Sequence, residues 1–180
     1  IESIIKLKYI YNTKKINSIV LLNYAPQLDK FLFWCQQLIA ESLGKKGKGM
    51  LPIVSSAPRD HHSLMQLYLD GPKDKLFYIF SLNLNKKMKI INNIFGKSLS
   101  FVENKELSEV VESQKKAFLN VLKKKKIPYR EFKVNKIDEK ILGKLFSYFM
   151  LETSLIGKLI DINPFNQPAV EEVKTLTKQY

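Results

Sequence analysis

The sequence predicts an α/β fold built on a mainly parallel sheet, and three observations carry that prediction. Short apolar runs alternate with longer stretches of helical periodicity along the chain. Two of the runs, Ser18-Ile19-Val20-Leu21-Leu22 and Leu76-Phe77-Tyr78-Ile79-Phe80, are apolar but for Ser18, as strands covered on both faces are. At 180 residues and 45% hydrophobic, the chain can bury one good core, so residues 1–180 read as a single domain.

The elements follow in order. Ser18 to Leu22 is the first strand. A helix from about residue 27 to 43 comes next, with Leu32, Cys35, Leu38, Ile39 and Leu43 at helical spacing. Gly44 stops it in the manner usual for helix C-termini. The stretch from Gly44 to Gly49 lacks the Gly-Lys-[Ser/Thr] ending of a nucleotide-binding loop and reads as a mobile connection. Met50 to Val54 is a second strand, and Pro52 places it near an edge or a strand start. His62 to Leu69 is a short helix, closed by Asp70-Gly71-Pro72.

Lys75 to Leu84 is the third strand. Glu106 to Lys126 is a strongly periodic helix with Leu107, Val111, Phe118 and Leu122 on one stripe. Tyr129 to Val134 is a fourth strand, alternating in character. Ile141 to Ile160 is a long apolar helix, and a last helix begins near Gln167. Alternation of strand and helix argues for a parallel sheet covered on both faces. Ligands of such sheets collect outside the carboxyl ends of the strands. A site after a helix, such as Glu41, does not follow that rule.

Bulk properties narrow the function classes. Cys35 is the single cysteine, which excludes a disulfide framework or a cysteine-metal cluster and makes a reducing, cytoplasmic setting the default. No apolar run approaches the ~20 residues that span a bilayer, so no membrane partner is expected. The chain opens at Ile1 in helix-like sequence, which reads as part of a longer product. The net charge of +13 invites a nucleic-acid reading, and residues 83–136 hold 14 Lys+Arg against 5 Asp+Glu. The lysines are scattered, however, and the run Lys123 to Lys126 follows a helical stretch, where it complements the negative helix end. No specific nucleic-acid binding is expected.

Three short strings carry chemistry. Gln36-Gln37-Leu38-Ile39-Ala40-Glu41-Ser42-Leu43-Gly44-Lys45 puts Glu41 in the last turn of its helix. There the negative dipole end disfavours a carboxylate, which suits a general base working near neutral pH. His62-Ser63-Leu64-Met65-Gln66-Leu67 contains one of only two histidines, His61 and His62, the side chain that exchanges protons near neutrality. Phe165-Asn166-Gln167-Pro168-Ala169-Val170-Glu171-Glu172-Val173-Lys174 puts Gln167, Val170 and Lys174 at i, i+3 and i+7. On a helix those positions share one face.

Together these strings resemble the phosphoglucose isomerase family, through its Glu-Ser-x-Gly-Lys, its His-x-x-x-Gln-Leu and its C-terminal Phe-Asn-Gln-x-Ala-Val-Glu-x-x-Lys. The resemblance implies a sugar isomerase domain, a three-layer αβα sandwich with C-terminal helices. It implies interconversion of glucose 6-phosphate and fructose 6-phosphate through a cis-enediolate, in glycolysis and gluconeogenesis, with no metal or organic cofactor. By resemblance Glu41 is the proton-transfer base, His62 assists ring opening, and Gln167 and Lys174 stand near the sugar O1 and O2. The register of Gln66-Leu67 selects His62, leaving His61 as a loop residue beside it. The family's histidine reaches the neighbouring subunit's site, so a homodimer with composite active sites is expected.

The family's Ser/Thr-rich phosphate loop belongs to a first domain that nothing here matches. The 180-residue chain is therefore expected to be the second domain of a longer enzyme, weak or inactive alone. Readings from other classes are a non-catalytic sugar-phosphate-binding domain and a basic nucleic-acid-binding module.

Overall fold

The computed structural model describes residues 2–13, 15–83, 88–90 and 101–180. A helix α1 (Glu2–Thr13) leads into strand β1 (Ser18–Asn23). After a 3-10 turn at Pro26–Leu28 come helix α2 (Asp29–Leu43) and strand β2 (Leu51–Ser56). Two short helices, α3 (Arg59–Ser63) and α4 (Met65–Asp70), precede strand β3 (Lys75–Leu82). Helix α5 (Leu107–Lys124), strand β4 (Tyr129–Val134), helix α6 (Glu139–Leu159) and helix α7 (Pro168–Thr177) complete the order.

The four strands form one parallel sheet in the order β2-β1-β3-β4. Ser18 stands beside both Leu51 and Lys75, and Phe77 stands beside Tyr129. β1 is buried along its whole length and β3 along all but its last residue. These are the two central strands, which is why their sequences are apolar without alternation. β2, carrying Pro52, is an edge strand, where a missing amide proton breaks no ladder. β4, the other edge, alternates between partly buried and exposed residues.

Successive side chains of a strand point to opposite faces, and the central strands supply two cores in this way. Ile19, Leu21, Tyr78 and Phe80 pack with Leu32, Cys35 and Ile39 of α2 and Phe149 and Ile156 of α6. Val20, Leu22, Phe77 and Ile79 pack on the other face with Tyr68 of α4 and Phe118 and Leu122 of α5. The result is the three-layer αβα sandwich. A largely buried ion pair ties edge strand to helix: Arg130 of β4 donates to both carboxylate oxygens of Glu152 of α6, at 2.9 and 2.8 Å.

Several boundaries differ from the sequence expectation. The helix expected at His62 to Leu69 is two helices, starting earlier at Arg59 and interrupted at Leu64. The buried Asp60 carboxylate anchors that early start, accepting from Ser55 Oγ and the Ser56 N–H at 2.8 Å each. β3 ends at Leu82, and Leu84 lies outside the described residues. In the α5 stripe Phe118 and Leu122 are buried, whereas Leu107 at its first turn is exposed.

Gly44 does cap α2, but with φ −78° rather than in the left-handed region. A side chain there would put Cβ 2.7 Å from the Ala40 carbonyl oxygen, so close approach is what requires glycine. The left-handed glycines come later. Gly49 has φ +110°, and its Cβ would meet the Leu43 carbonyl oxygen at 2.9 Å.

Candidate active site

The apolar stripe of α2 turns Leu32, Cys35, Ile39 and Leu43 into the core. Gln37 and Glu41 lie on the flank at i and i+4, one turn apart. Gln37 Nε2 donates to Glu41 Oε1 at 3.1 Å. Gln167 Nε2 donates to the other carboxylate oxygen, Oε2, at 2.8 Å. Two neutral amides therefore orient the Glu41 carboxylate, each from a separate part of the chain. Hydrogen bonds of this kind hold a carboxylate in one rotamer without placing a full positive charge on it.

Glu41 opens onto a cavity of about 620 Å³ with a mostly apolar lining, in which Lys45, Asn163, Asn166 and Gln167 supply polar groups. That volume falls in the range of small-molecule sites. Lysines of the turn after α2 fasten the opposite wall. Lys45 Nζ donates to the Asn163 carbonyl at 2.7 Å, and Lys48 Nζ donates to the Ile160 carbonyl at 2.6 Å. Partial desolvation lowers the pKa of Lys45, and the neighbouring Glu41 charge opposes that shift.

Gln167 is the N-cap of α7 and not a residue of the helix. Pro168 fills the first helical position, where its missing N–H leaves no bond unmade. The cap geometry frees the Gln167 side chain to swing onto Glu41, and Val170 one turn later also faces the cavity. Lys174 does not line it. Its ammonium pairs with Glu171 at 2.8 Å, both groups more than half exposed.

His62 lies further away still. β1, β2 and β3 start together, because the Asn17 and Leu51 amides bond Asp74 and Asn17 carbonyls. The turn carrying Glu41 and Lys45 leads straight into β2, so it sits at that amino edge. α3 follows the carboxyl end of β2, which puts His62 at the opposite edge. Six strand residues separate the edges by about 20 Å. His62 is exposed there.

His61 is the packed histidine and not a loop residue. It lies in α3 with its ring between Tyr24 and Phe118, ring centres 5.4 Å from each. Its Nε2 is 2.5 Å from the Tyr24 hydroxyl. Burial depresses its pKa, so the neutral ring accepts the Tyr24 proton donor.

No protein-family model matches the chain. Curated relatives do. A probable glucose-6-phosphate isomerase of Methanococcus maripaludis is 36% identical over 172 residues, 96% of this chain and 38% of that protein. The glucose-6-phosphate isomerase of Campylobacter jejuni is 36% identical over 183 residues, 98% of this chain and 45% of that one. The chain belongs to the glucose-6-phosphate isomerase family. It spans about two fifths of the length of the curated relatives it matches, 38% and 45% in these two.

Solved structures agree on the fold. A hypothetical protein of Thermus thermophilus superposes with a TM-score of 0.87 at 24% identity, over 98% of this chain and 43% of its own. A glucose-6-phosphate isomerase of Chlamydia trachomatis gives 0.69 at 16% identity, over 91% and 34%. In this member of the glucose-6-phosphate isomerase family, the structure brings Glu41 and Gln167 together and leaves His62 and Lys174 apart from them.

Three contributors had no role in the sequence reading: Gln37, Lys45 and Asn163. Gln37 was legible, since i,i+4 spacing on an established helix puts its amide over Glu41. The Lys45–Asn163 contact joins residues 118 positions apart, and no local pattern encodes it.

Proposed function

We propose that this chain is the second domain and C-terminal helix of a glucose-6-phosphate isomerase that interconverts glucose 6-phosphate and fructose 6-phosphate in the cytoplasm. One observation carries the reading. In a chain of this family, Glu41 opens onto a cavity with its two oxygens oriented by Gln37 and Gln167. A carboxylate so placed takes the C2 proton of the open-chain aldose, leaving a cis-enediolate, and returns a proton to C1. Both carbons lie within reach of one carboxylate.

As the C2 proton leaves, negative charge grows on the sugar oxygens, and donors aimed there stabilise the transition state more than the substrate. The Gln167 amide holds Glu41 through one N–H and has a second N–H to offer the sugar. Lys174 supplies the cation after leaving Glu171, and an ion pair this exposed opposes the move by no more than about 1 kcal/mol. His62 opens the sugar ring. With about 20 Å of sheet between its edge and that of Glu41, one chain does not supply both groups to one substrate. That geometry favours a homodimer in which His62 of one copy serves the Glu41 cavity of the other.

The substrate phosphate is gripped by a first domain outside these 180 residues, so the chain alone turns over at least about a hundredfold slower than an enzyme that holds both ends. The test is an isomerase assay on the enzyme joined to its phosphate-binding domain. Glu41→Gln lowers kcat by about 10²–10⁴ and changes KM little. Normal turnover in that variant would remove Glu41 as the base. Vigorous turnover by the 180-residue chain alone would remove the need for the first domain.

A further inference from the structure

The Glu41 cavity lies at the amino edge of the sheet, whereas ligands of open parallel sheets gather at the carboxyl edge where the strand order reverses. Here that reversal lies at β1, which has β2 on one side and β3 on the other. A second cavity, of about 420 Å³, opens at that place. Tyr24 follows β1, Ser81 lies at the end of β3 and Asn83 just after it, and Ser108, Lys116 and Lys133 come from α5 and β4.

Its floor is built from charge. Lys115 of α5 is 2% exposed, yet its ammonium reaches the Ser81 hydroxyl at 3.1 Å. Glu112 at 2.9 Å and Glu131 at 3.1 Å neutralise it. Only the ammonium is buried; the Glu112 and Glu131 side chains stay 38% and 34% exposed, so the pairing keeps contact with solvent.

The two lysines at the rim are differently placed. Lys116 is 70% exposed at its side chain and only 4.0 Å from Glu112. Lys133 is exposed and forms no ion pair among the described residues. The lining carries Lys116 and Lys133 beside Glu109 and Glu112, with the Ser81 and Ser108 hydroxyls and the Asn83 amide, a set that matches a small ligand with one anionic group and several hydroxyls.

We infer that this carboxyl-edge cavity is a second ligand site, which takes a small phosphorylated or carboxylated polyol. Lys116 and Lys133 meet the anionic group, and Ser81, Asn83, Ser108 and Glu112 meet the hydroxyls. Occupation would touch β1, β3, β4 and α5 at once, so the ligand would stabilise the sheet and not take part in chemistry at Glu41.

The test is an amide NMR titration of the 180-residue chain with glucose 6-phosphate and, separately, with inorganic phosphate. Glucose 6-phosphate is expected to saturate shifts at Ser81, Asn83, Ser108 and Glu112, and to bind at least tenfold more tightly than phosphate. Combined Lys116→Glu and Lys133→Glu, both at exposed positions, should weaken it about tenfold or more, whereas Glu41→Gln should leave it unchanged. Shifts confined to the Glu41 cavity and lost in Glu41→Gln would overturn this second site while supporting the proposed active site. Equal affinity for phosphate, or no saturable binding, would also overturn it.

Discussion

The Gln167 side-chain amide donates to Glu41 Oε2 at 2.8 Å across 126 residues of chain, joining the cap of the last helix to the last turn of α2. α7 buries no residue of its own, so this bond and the cavity wall beside it do much to place the helix. Gln167→Ala is therefore expected to speed amide hydrogen exchange across 168–177, while global stability falls by less than about 1.5 kcal/mol. Unchanged exchange in α7 would mean that the helix is held by other contacts.

The Arg130–Glu152 pair makes the opposite prediction, because Glu152 is buried and Arg130 lies over aromatic rings. The Arg130 guanidinium lies 4.8 Å from the Tyr78 ring centre and also donates to the Tyr78 and Tyr148 hydroxyls. Glu152→Ala leaves a largely buried cation without its partner and should cost about 3–5 kcal/mol in urea unfolding. Arg130→Met combined with Glu152→Leu should recover most of that loss. A single-variant cost below about 1 kcal/mol would show that the pair is effectively solvated.

His61 gives a pH dependence with a definite sign. Burial lowers its pKa below the ordinary 6.5, while Asp60 opposes the shift. Between the two values the unfolded chain holds a proton that the folded protein does not. Stability from this group is complete above about pH 6.5 and declines as the pH falls toward the folded value. Tm should drop between pH 7.5 and 5, and His61→Gln, which stays neutral, should flatten that drop. Parallel Tm curves for the two proteins would exclude His61 as the source.

Gly157 of α6 packs against Pro164, just before the cavity residues Asn166 and Gln167. A Cβ there would meet the Pro164 ring at 3.1–3.3 Å, closer than a side chain normally packs. Gly157→Ala should therefore push the 162–167 segment, cost about 1–3 kcal/mol and shift the Asn163 and Gln167 resonances. Overlaid spectra in the region of Gln167 would mean that Pro164 yields without moving the site.

Periodicity along the sequence determined the kinds of element, their order and the parallel class. β1 and β3 are apolar throughout because both faces are covered, and α2 shows its buried stripe because a helix repeats every 3.6 residues. Glu41 at the end of its helix was legible for the same reason. These are local properties, set by residues within a turn or a strand of one another.

Tertiary structure alone decided the rest. Strand order placed β2 outside β1 and left β1 and β3 at the centre of the sheet. Which of the adjacent histidines packs fell to Tyr24 and Phe118, which hold the His61 ring and leave His62 exposed. Lys174 and Gln167 share a motif, yet the cap geometry at Pro168 sends only the amide to Glu41. Each of these outcomes depends on surfaces that meet only after packing, between residues too distant in sequence for any repeat to relate them.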